Sequence, residues 1–591
     1  MNPLGEYQQR LAARRAVAER LDRLFRRVGN ARLITAIAGV VLAFFVFGQT
    51  VLAAWWLVVP ASIFACLVVW HARIVQRLEE ALRAVTFYER GVARLENRWM
   101  GRGEPGERFR NPAHVYAEDL DLFGKGSLFE LLCTARTRSG EDTLAGWLLA
   151  ASPAEAVAAR HDAVRELGPR LDLREDLAVL GEIARAALET GAAAQWGENP
   201  PVVFPAGARI LAPLLASAVV ITFGLYMDGL ASRTPFMIAL FVELSYGFLL
   251  GSRTLRVTSA VDAPARDLGL LASMLERVEQ ERFAAPLLCQ IQGALSSGGL
   301  VASAEIRRLG RLVNRMDWQR NIVFAPIAIA LLWSAQIAIA IERWRKRAGP
   351  HIGPWIAQAG EFEALLALAG YSYEHPDDPF PELTSGPACF KAEGIAHPLI
   401  PDAVRNSIEL GGDLRLLIVS GSNMSGKSTL LRAVGLNAVL AWAGAPVRAT
   451  SLRISPLRVG ASIRVVDSVQ DGRSRFYAEI TRLREIVDLA GGGETVLFLI
   501  DELLSGTNSH DRKIGAGAIV RTLVDRGGIG LVTTHDLALT SIAAELSGRA
   551  VNVHFEDLLE DGKLHFDYRL RSGVVARSNA LDLMRSVGLE V

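Results

Sequence analysis

Between Leu33 and Ala72 the chain carries no Asp, Glu, Lys or Arg. A membrane-spanning helix needs about 20 mostly apolar residues, so this run is long enough for two. The break at Gly48-Gln49-Thr50 divides it into a predicted hairpin. It does not read as a cleavable signal peptide, because it is too long, follows a basic arm and lacks a small-residue cleavage pattern. A second apolar pair, Ile210–Met227 and Pro235–Gly251, is separated only by the polar turn Asp228–Thr234 and predicts a second hairpin. A third stretch, Ile322–Ile341, is equally apolar.

Basic residues flank both hairpins. The arm before Leu33 is rich in arginine, Arg73 and Arg77 follow the first pair, and Arg253 and Arg256 follow the second. Lys and Arg are retained on the cytoplasmic side of a membrane, so both hairpins are expected to enter from the cytoplasm and return to it. This predicts a multi-pass protein of the inner or plasma membrane. If Ile322–Ile341 also crossed, everything after Glu342 would lie outside, and Pro326, Ser334 and Gln336 weaken it as a span. It is therefore expected to be one long helix, buried or lying against the membrane, that does not cross. Glu243 falls within the fourth helix. An intramembrane carboxylate is a functional candidate; the alternative is a protonated or hydrogen-bonded packing residue.

Outside these runs the texture changes twice. Residues 73–206 and 252–320 read as mostly helical, with Leu268, Leu271, Met274, Leu275 and Val278 at helical spacing. From about residue 385, short β-rich runs alternate with helical patterns: Leu414–Ser420, a helix from Lys427, Thr495–Ile500, a helix, then Ile529–Thr533. That alternation predicts an α/β domain built on a parallel sheet. Ala550–Phe555 and Lys563–Leu570, joined by Asp561-Gly562, predict a β-hairpin. Gly101–Pro112 and His375–Pro387 read as linkers.

Composition narrows the class. With 591 residues, 50% apolar content and a formal net charge of +1, the chain is not dominated by disorder. Four dispersed cysteines with no CxxC pair exclude a disulfide scaffold and a zinc module. The near-zero charge excludes a strong global field for nucleic acid and leaves room for a local basic face.

The chemistry concentrates in the α/β region. Gly421-Ser422-Asn423-Met424-Ser425-Gly426-Lys427-Ser428-Thr429 fits the phosphate loop G-x-x-x-x-G-K-[ST], placed between a predicted strand and a predicted helix. Glycines let backbone N–H groups converge on phosphate oxygens, and the helix start adds a positive dipole end. Lys427 can reach the β- and γ-phosphates of ATP, and Ser428 can hold Mg2+. Downstream, the apolar run Thr495–Ile500 ends in Asp501-Glu502. Asp501 can bind the Mg2+, directly or through water, and Glu502 is placed to activate the attacking water. After the next strand, Thr533-Thr534-His535-Asp536 puts His535 where it can sense the γ-phosphate or hold the water.

Residues 388–585 resemble the ATPase domain of the MutS mismatch-repair family. The matching words are His397-Pro398, Asn423–Thr429, Gly460-Ala461-Ser462, Gly472-Arg473-Ser474-Arg475-Phe476, Asp501-Glu502, Gly506-Thr507, Thr534-His535 and Asn552-Val553-His554. Arg475 departs from the family word G-x-S-T-F, and Leu504 stands where the family usually has glycine. The resemblance implies that Ser474 reaches the γ-phosphate of the opposite subunit, so that the active unit is a homodimer. Upstream, Leu120–Phe123, Ser127–Leu132, Thr137, Gly140, Trp147–Leu149 and Arg160–Val164 are similar to the start of the family's helical lever domain. Glu361–Leu365 and Leu368-Ala369 are similar to its return. Between them, where the family places a DNA clamp, lies the second hairpin. The mismatch-reading N-terminal domain has no counterpart.

The expected fold is an α/β P-loop NTPase domain with an ABC/MutS-type parallel sheet, an all-α lever domain and transmembrane α-helical hairpins. Its order is a basic arm (1–32), a hairpin (33–72), a helical linker and first lever part (73–206), the second hairpin (207–252), the second lever part (253–384) and the ATPase domain (385–591). Three functions fit. The first is a membrane-anchored MutS-type ATPase coupled to mismatched or structured DNA, as in mismatch repair or DNA damage sensing. The second is a nucleotide switch that scaffolds proteins at a membrane. The third is a transporter-like ATPase, disfavoured because the word L-S-G-G-Q is absent and the helices offer almost no polar lining.

Overall fold

The computed structural model describes residues 2–48, 52–185, 190–322, 324–464, 475–504, 509–560 and 563–575. It forms two compact units, Met1–Trp99 with Leu171–Ala186, and Met100–Arg170 with Ala187–Val591.

The first unit is an antiparallel pair of long helices, Pro3–Ala43 and Val58–Leu95, with the helix Leu171–Arg185 against it. The Asn2 side chain accepts from Gly5 N, and a proline at the helix start needs no N–H there, so the arm is helical from its first residues. Arm and first apolar segment are one continuous helix. Its N-terminal end packs closely: a Cβ at Gly91 would lie 2.5 Å from Tyr7 Cε2, and buried Tyr88 donates to Glu175 at 2.6 Å. Toward the other end, Val40, Phe47, Trp55 and Val58 are exposed.

The second unit begins its apolar part with Ala208–Met227 and Arg233–Glu279, the latter running well past its apolar portion. Among the described residues, four helices are long and apolar enough to cross a membrane, by length and composition: Pro3–Gly48, Ala54–Leu95, Ala208–Met227 and Arg233–Glu279. The stretch 322–341, expected to be one long helix, buried or lying against the membrane, is broken instead. It holds a short helix, Ala325–Ala330, and a break at Leu332, whose φ of 46° is left-handed; a new helix starts at Trp333. Leu332 is buried against Gly247 while Ile322, Ile327 and Ile329 are exposed. Packing of Leu332 on the neighbouring helix overrides its local helical preference.

The helix Trp333–Glu374 has 42 residues, about 63 Å of axis at 1.5 Å per residue. Buried Glu363 on it accepts from Arg136 N at 3.0 Å, from Thr137 N at 3.1 Å and from the Thr137 hydroxyl. Thr137 in turn caps the helix Arg138–Leu149. The two separated stretches similar to the lever domain therefore meet through a buried carboxylate with satisfied acceptors.

The remainder is α/β. Strands β1 (Glu382–Leu383), β2 (Cys389–Ile395), β3 (Asn406–Gly411), β4 (Leu416–Ser420), β5 (Ser451–Ile454), β6 (Arg458–Ser462), β7 (Val496–Ile500), β8 (Ile529–Thr534), β9 (Ala550–Glu560) and β10 (Lys563–Ser572) form two sheets. The larger has the order β10-β9-β4-β8-β7-β6, parallel except for β10. Strands β4, β7 and β8 are buried at every position, as a parallel sheet covered by helices requires. The predicted hairpin is present as β9–β10; its turn, Asp561-Gly562, lies outside the described residues. The smaller sheet, β1-β5-β2-β3, was not anticipated; its strands are short and alternate buried with exposed.

Candidate functional site

The end of β4 feeds directly into a loop and a helix. Gly421 (φ 152°) and Gly426 (φ 101°) adopt backbone conformations that side chains disfavour. A Cβ at Gly421 would stand 2.8 Å from Ser425 Oγ. The helix Lys427–Ala443 starts at the next residue and is largely buried, so its N-terminal N–H groups and dipole end face the loop. Lys427 is buried, and its ammonium donates to Gly421 O at 2.9 Å and Ser422 O at 2.6 Å. Burial pushes this ammonium below the ordinary lysine range, while Asp501, Glu502 and Asp557 oppose the shift.

From the parallel neighbours come the acids. Asp501, at the end of β7, accepts from Ser428 Oγ at 2.5 Å through one oxygen and from the Thr533 hydroxyl through the other. The Thr533 hydroxyl also accepts from Glu502 N at 2.9 Å. One threonine at the end of β8 thus fixes both the carboxylate and the backbone after it. Glu502 has φ 48° and a partly exposed carboxylate, and His535 Nδ1 lies 3.7 Å from Glu502 Oε1. Leu504, where the resembled family has glycine, has φ 56°. Its strained backbone is held by Glu479, which accepts from Leu504 N at 2.6 Å.

Lys427, Ser428 and Glu502 line a cleft of about 530 Å3. Its lining also includes His397, Ile400, Val404, Phe555 and Tyr568. Burial, aided by Arg432, pushes His397 down to about 4, so its ring is neutral at pH 7, and its Nδ1 accepts from Leu399 N at 3.2 Å. Tyr568 reaches the loop because Asn406 grips β10: Asn406 Nδ2 donates to Tyr568 O at 3.0 Å, and Leu570 N donates to Asn406 Oδ1 at 2.8 Å. The residues present fit a nucleoside triphosphate with Mg2+. The loop has glycines at two of its three positive-φ positions, Met424 being the third, its lysine is held on loop carbonyls, and the Ser428 and Asp501 oxygens converge.

The structure thus brings Lys427, Ser428, Asp501, Glu502 and His535 together. Asn423 and Thr429 line the cleft, as does Met424, which is 84% exposed. Ser422 supplies a carbonyl to Lys427, and Ser425 is buried behind the loop. Ser474 lies outside the described residues. Thr533 and Tyr568 were not singled out from sequence. The signal for Thr533 was available: a hydroxyl in an otherwise apolar buried strand needs a partner.

Comparison with known proteins points the same way. Residues 417–590 match the family described as MutS domain V. The chain is 38% identical over 201 residues to the Endonuclease MutS2 of Thermus thermophilus, covering 33% of this chain and 25% of that protein. It is 41% identical over 180 residues to the DNA mismatch repair protein MutS 2 of Haloarcula marismortui, covering 29% and 18%. It is 32% identical over 243 residues to the protein of that name in Halobacterium salinarum, covering 39% and 27%. The chain therefore spans between 18% and 27% of the length of these relatives.

Proposed function

The chain belongs to the MutS family through its domain at 417–590, and from that premise we propose that it is a membrane-anchored ATPase. It binds and hydrolyses ATP with Mg2+ in a composite site of a homodimer and couples that cycle to mismatched or structured DNA. The observation that carries the reading is that Lys427, Ser428 and Glu502 line one cleft, with Asp501 bonded to Ser428 and His535 3.7 Å from Glu502. In this reading Lys427 exchanges its loop carbonyls for phosphate oxygens. Ser428 and Asp501 hold Mg2+, which neutralises charge on the phosphates when bound. Glu502 accepts the proton of the attacking water, and His535 orients that carboxylate.

The DNA part rests on relatives named as mismatch repair proteins. Its test is the ATPase rate of the full chain in nanodiscs, with and without duplex, branched and mismatched DNA, at two salt concentrations. Stimulation that weakens at higher salt is the expected result. A rate indifferent to every DNA would favour the second reading, a nucleotide switch at the membrane. That reading is supported by the helices Ala208–Met227 and Arg233–Glu279, which occupy the chain where the resembled family has a clamp.

The dimeric site makes its own prediction. Chains carrying Lys427→Ala and chains carrying Ser474→Arg are each expected to be inactive. Mixed, they should regain turnover, because an intact phosphate loop then faces an intact Ser474. No recovery in demonstrated heterodimers would exclude action in trans.

Anchoring is proposed in the inner or plasma membrane with the ATPase domain in the cytoplasm. The support is four helices of sufficient length and apolarity and an excess of arginines beyond the ends of each pair, against the single Arg233 in the turn of the second. A cysteine at Gly229 should be labelled from outside intact cells. One at exposed Arg347 should be labelled only after the membrane is opened. Arg347 is a better probe than Gly349, where a Cβ would lie 2.5 Å from Gly197 O. External labelling at Arg347 would rule out the four-span topology.

A further inference from the structure

The segment 112–121 precedes the ATPase domain by some three hundred residues (the sequence separation of Asp119 and Ile463 is 344) yet is bound into it. Val115 O accepts from Ala461 N at 2.9 Å. One oxygen of the buried Asp119 carboxylate accepts from Ile463 N at 2.6 Å and from Arg464 N at 2.7 Å. The Arg464 guanidinium donates to Asp121 Oδ1 at 2.5 Å. On the other side, Arg432 Nε donates to Asp119 O at 3.0 Å and stands 3.6 Å from Asp121 Oδ2. Between the two acids, Leu120 is fully buried on Gly435, where a Cβ would come within 2.6 Å of it. Downstream, Arg482 donates to Pro112 O at 2.8 Å and His114 O at 3.0 Å.

Each element gripped here carries a residue of the nucleotide site or abuts one. Arg432 lies one helical turn beyond Ser428 on the same helix. Ile463 follows Ser462, whose carbonyl accepts from Asp501 N at 2.9 Å. Ser428 and Asp501 therefore sit on a helix and beside a strand whose relative placement is fixed, a few residues away, by Asp119-Leu120-Asp121. We propose that Asp119 and Asp121 are positioning residues for ATP hydrolysis, holding the phosphate-loop helix and the end of β6 in the register that sets Ser428 against Asp501. This rests on the reading of the cleft as an ATPase site.

The chemistry separates the two acids. Both N–H bonds to Asp119 end on one oxygen, so an asparagine keeps an acceptor there, whereas alanine leaves two N–H groups without theirs. Asp121 is partly exposed and acts through charge on Arg432 and Arg464, so Asp121→Asn removes its ion pairs without opening a cavity. The test uses the full chain in nanodiscs, measuring kcat and KM for ATP, affinity for a fluorescent ADP analogue, and the thermal midpoint. Asp121→Asn is expected to lower kcat roughly tenfold, the scale on which small misplacements slow chemistry, with ADP affinity and midpoint unchanged. Asp119→Ala should lower kcat as well, and Asp119→Asn should restore most of it. Wild-type kcat in Asp121→Asn would overturn the proposal, as would a joint fall of kcat, affinity and midpoint in that variant. A wild-type chain that neither binds nor hydrolyses ATP would instead remove the ATPase reading, and the positioning role with it.

Discussion

Lys427→Ala is expected to abolish nucleotide binding at micromolar concentrations. The side chain is buried, and its ammonium makes two hydrogen bonds to loop carbonyls. On the proposed reading those donors turn to phosphate when nucleotide binds, where each charge-assisted bond contributes about 1.5–3 kcal/mol. Losing two such bonds costs on the order of 3–6 kcal/mol, a drop of two to four powers of ten in affinity. Among the described residues lining the cleft, no other cation replaces that charge: His397 is neutral at pH 7 because burial and Arg432 push it down to about 4. Titration with a fluorescent ATP analogue, alongside the thermal midpoint, reads the effect. Saturable binding of near wild-type strength would mean that the phosphates do not lie against this loop.

The Gly421–Thr429 loop and the acids set against it were legible in the sequence because a glycine loop between strand and helix, and an acidic pair ending a buried strand, leave little freedom. Gly421 and Gly426 must turn left-handed, Lys427 must follow, and Asp501 must end a buried strand. The strands themselves were legible for a related reason: β4, β7 and β8 are buried on both faces and so read as unbroken apolar runs. What failed was whatever depends on a distant neighbour. The apolar pattern around Leu331 and Leu332 carries no mark of a helix break, which arises where Leu332 packs on Gly247. Asp119 meets Ile463 across 344 residues, and no spacing rule reaches that far. Leu504 is intermediate. Its departure from the resembled glycine was visible, but the reason a leucine tolerates φ 56° is not local. Glu479 holds its N–H, and its side chain is buried in the core beside Ile500 and Val520.

Glu502→Gln is expected to bind ATP as the wild type does and to turn over roughly 100- to 10,000-fold more slowly, the usual span for loss of a general base. The substitution is nearly isosteric. The contact that fixes the residue's backbone, Glu502 N to the Thr533 hydroxyl, does not involve its side chain. Asp501 keeps its bonds from Ser428 and Thr533, so the pair proposed to hold Mg2+ is undisturbed. Only the ability to accept a proton is removed. His535 separates the alternatives, because its Nδ1 lies 3.7 Å from Glu502 Oε1, beyond a direct hydrogen bond. If Glu502 is the base and His535 only orients it, His535→Ala should slow turnover less than Glu502→Gln does, and the double variant should be no slower than Glu502→Gln alone. Single-turnover hydrolysis with radiolabelled ATP measures all three variants on one scale. A Gln variant that hydrolyses at the wild-type rate would move the base elsewhere, and a His535→Ala loss larger than that of Glu502→Gln would transfer the role to the imidazole.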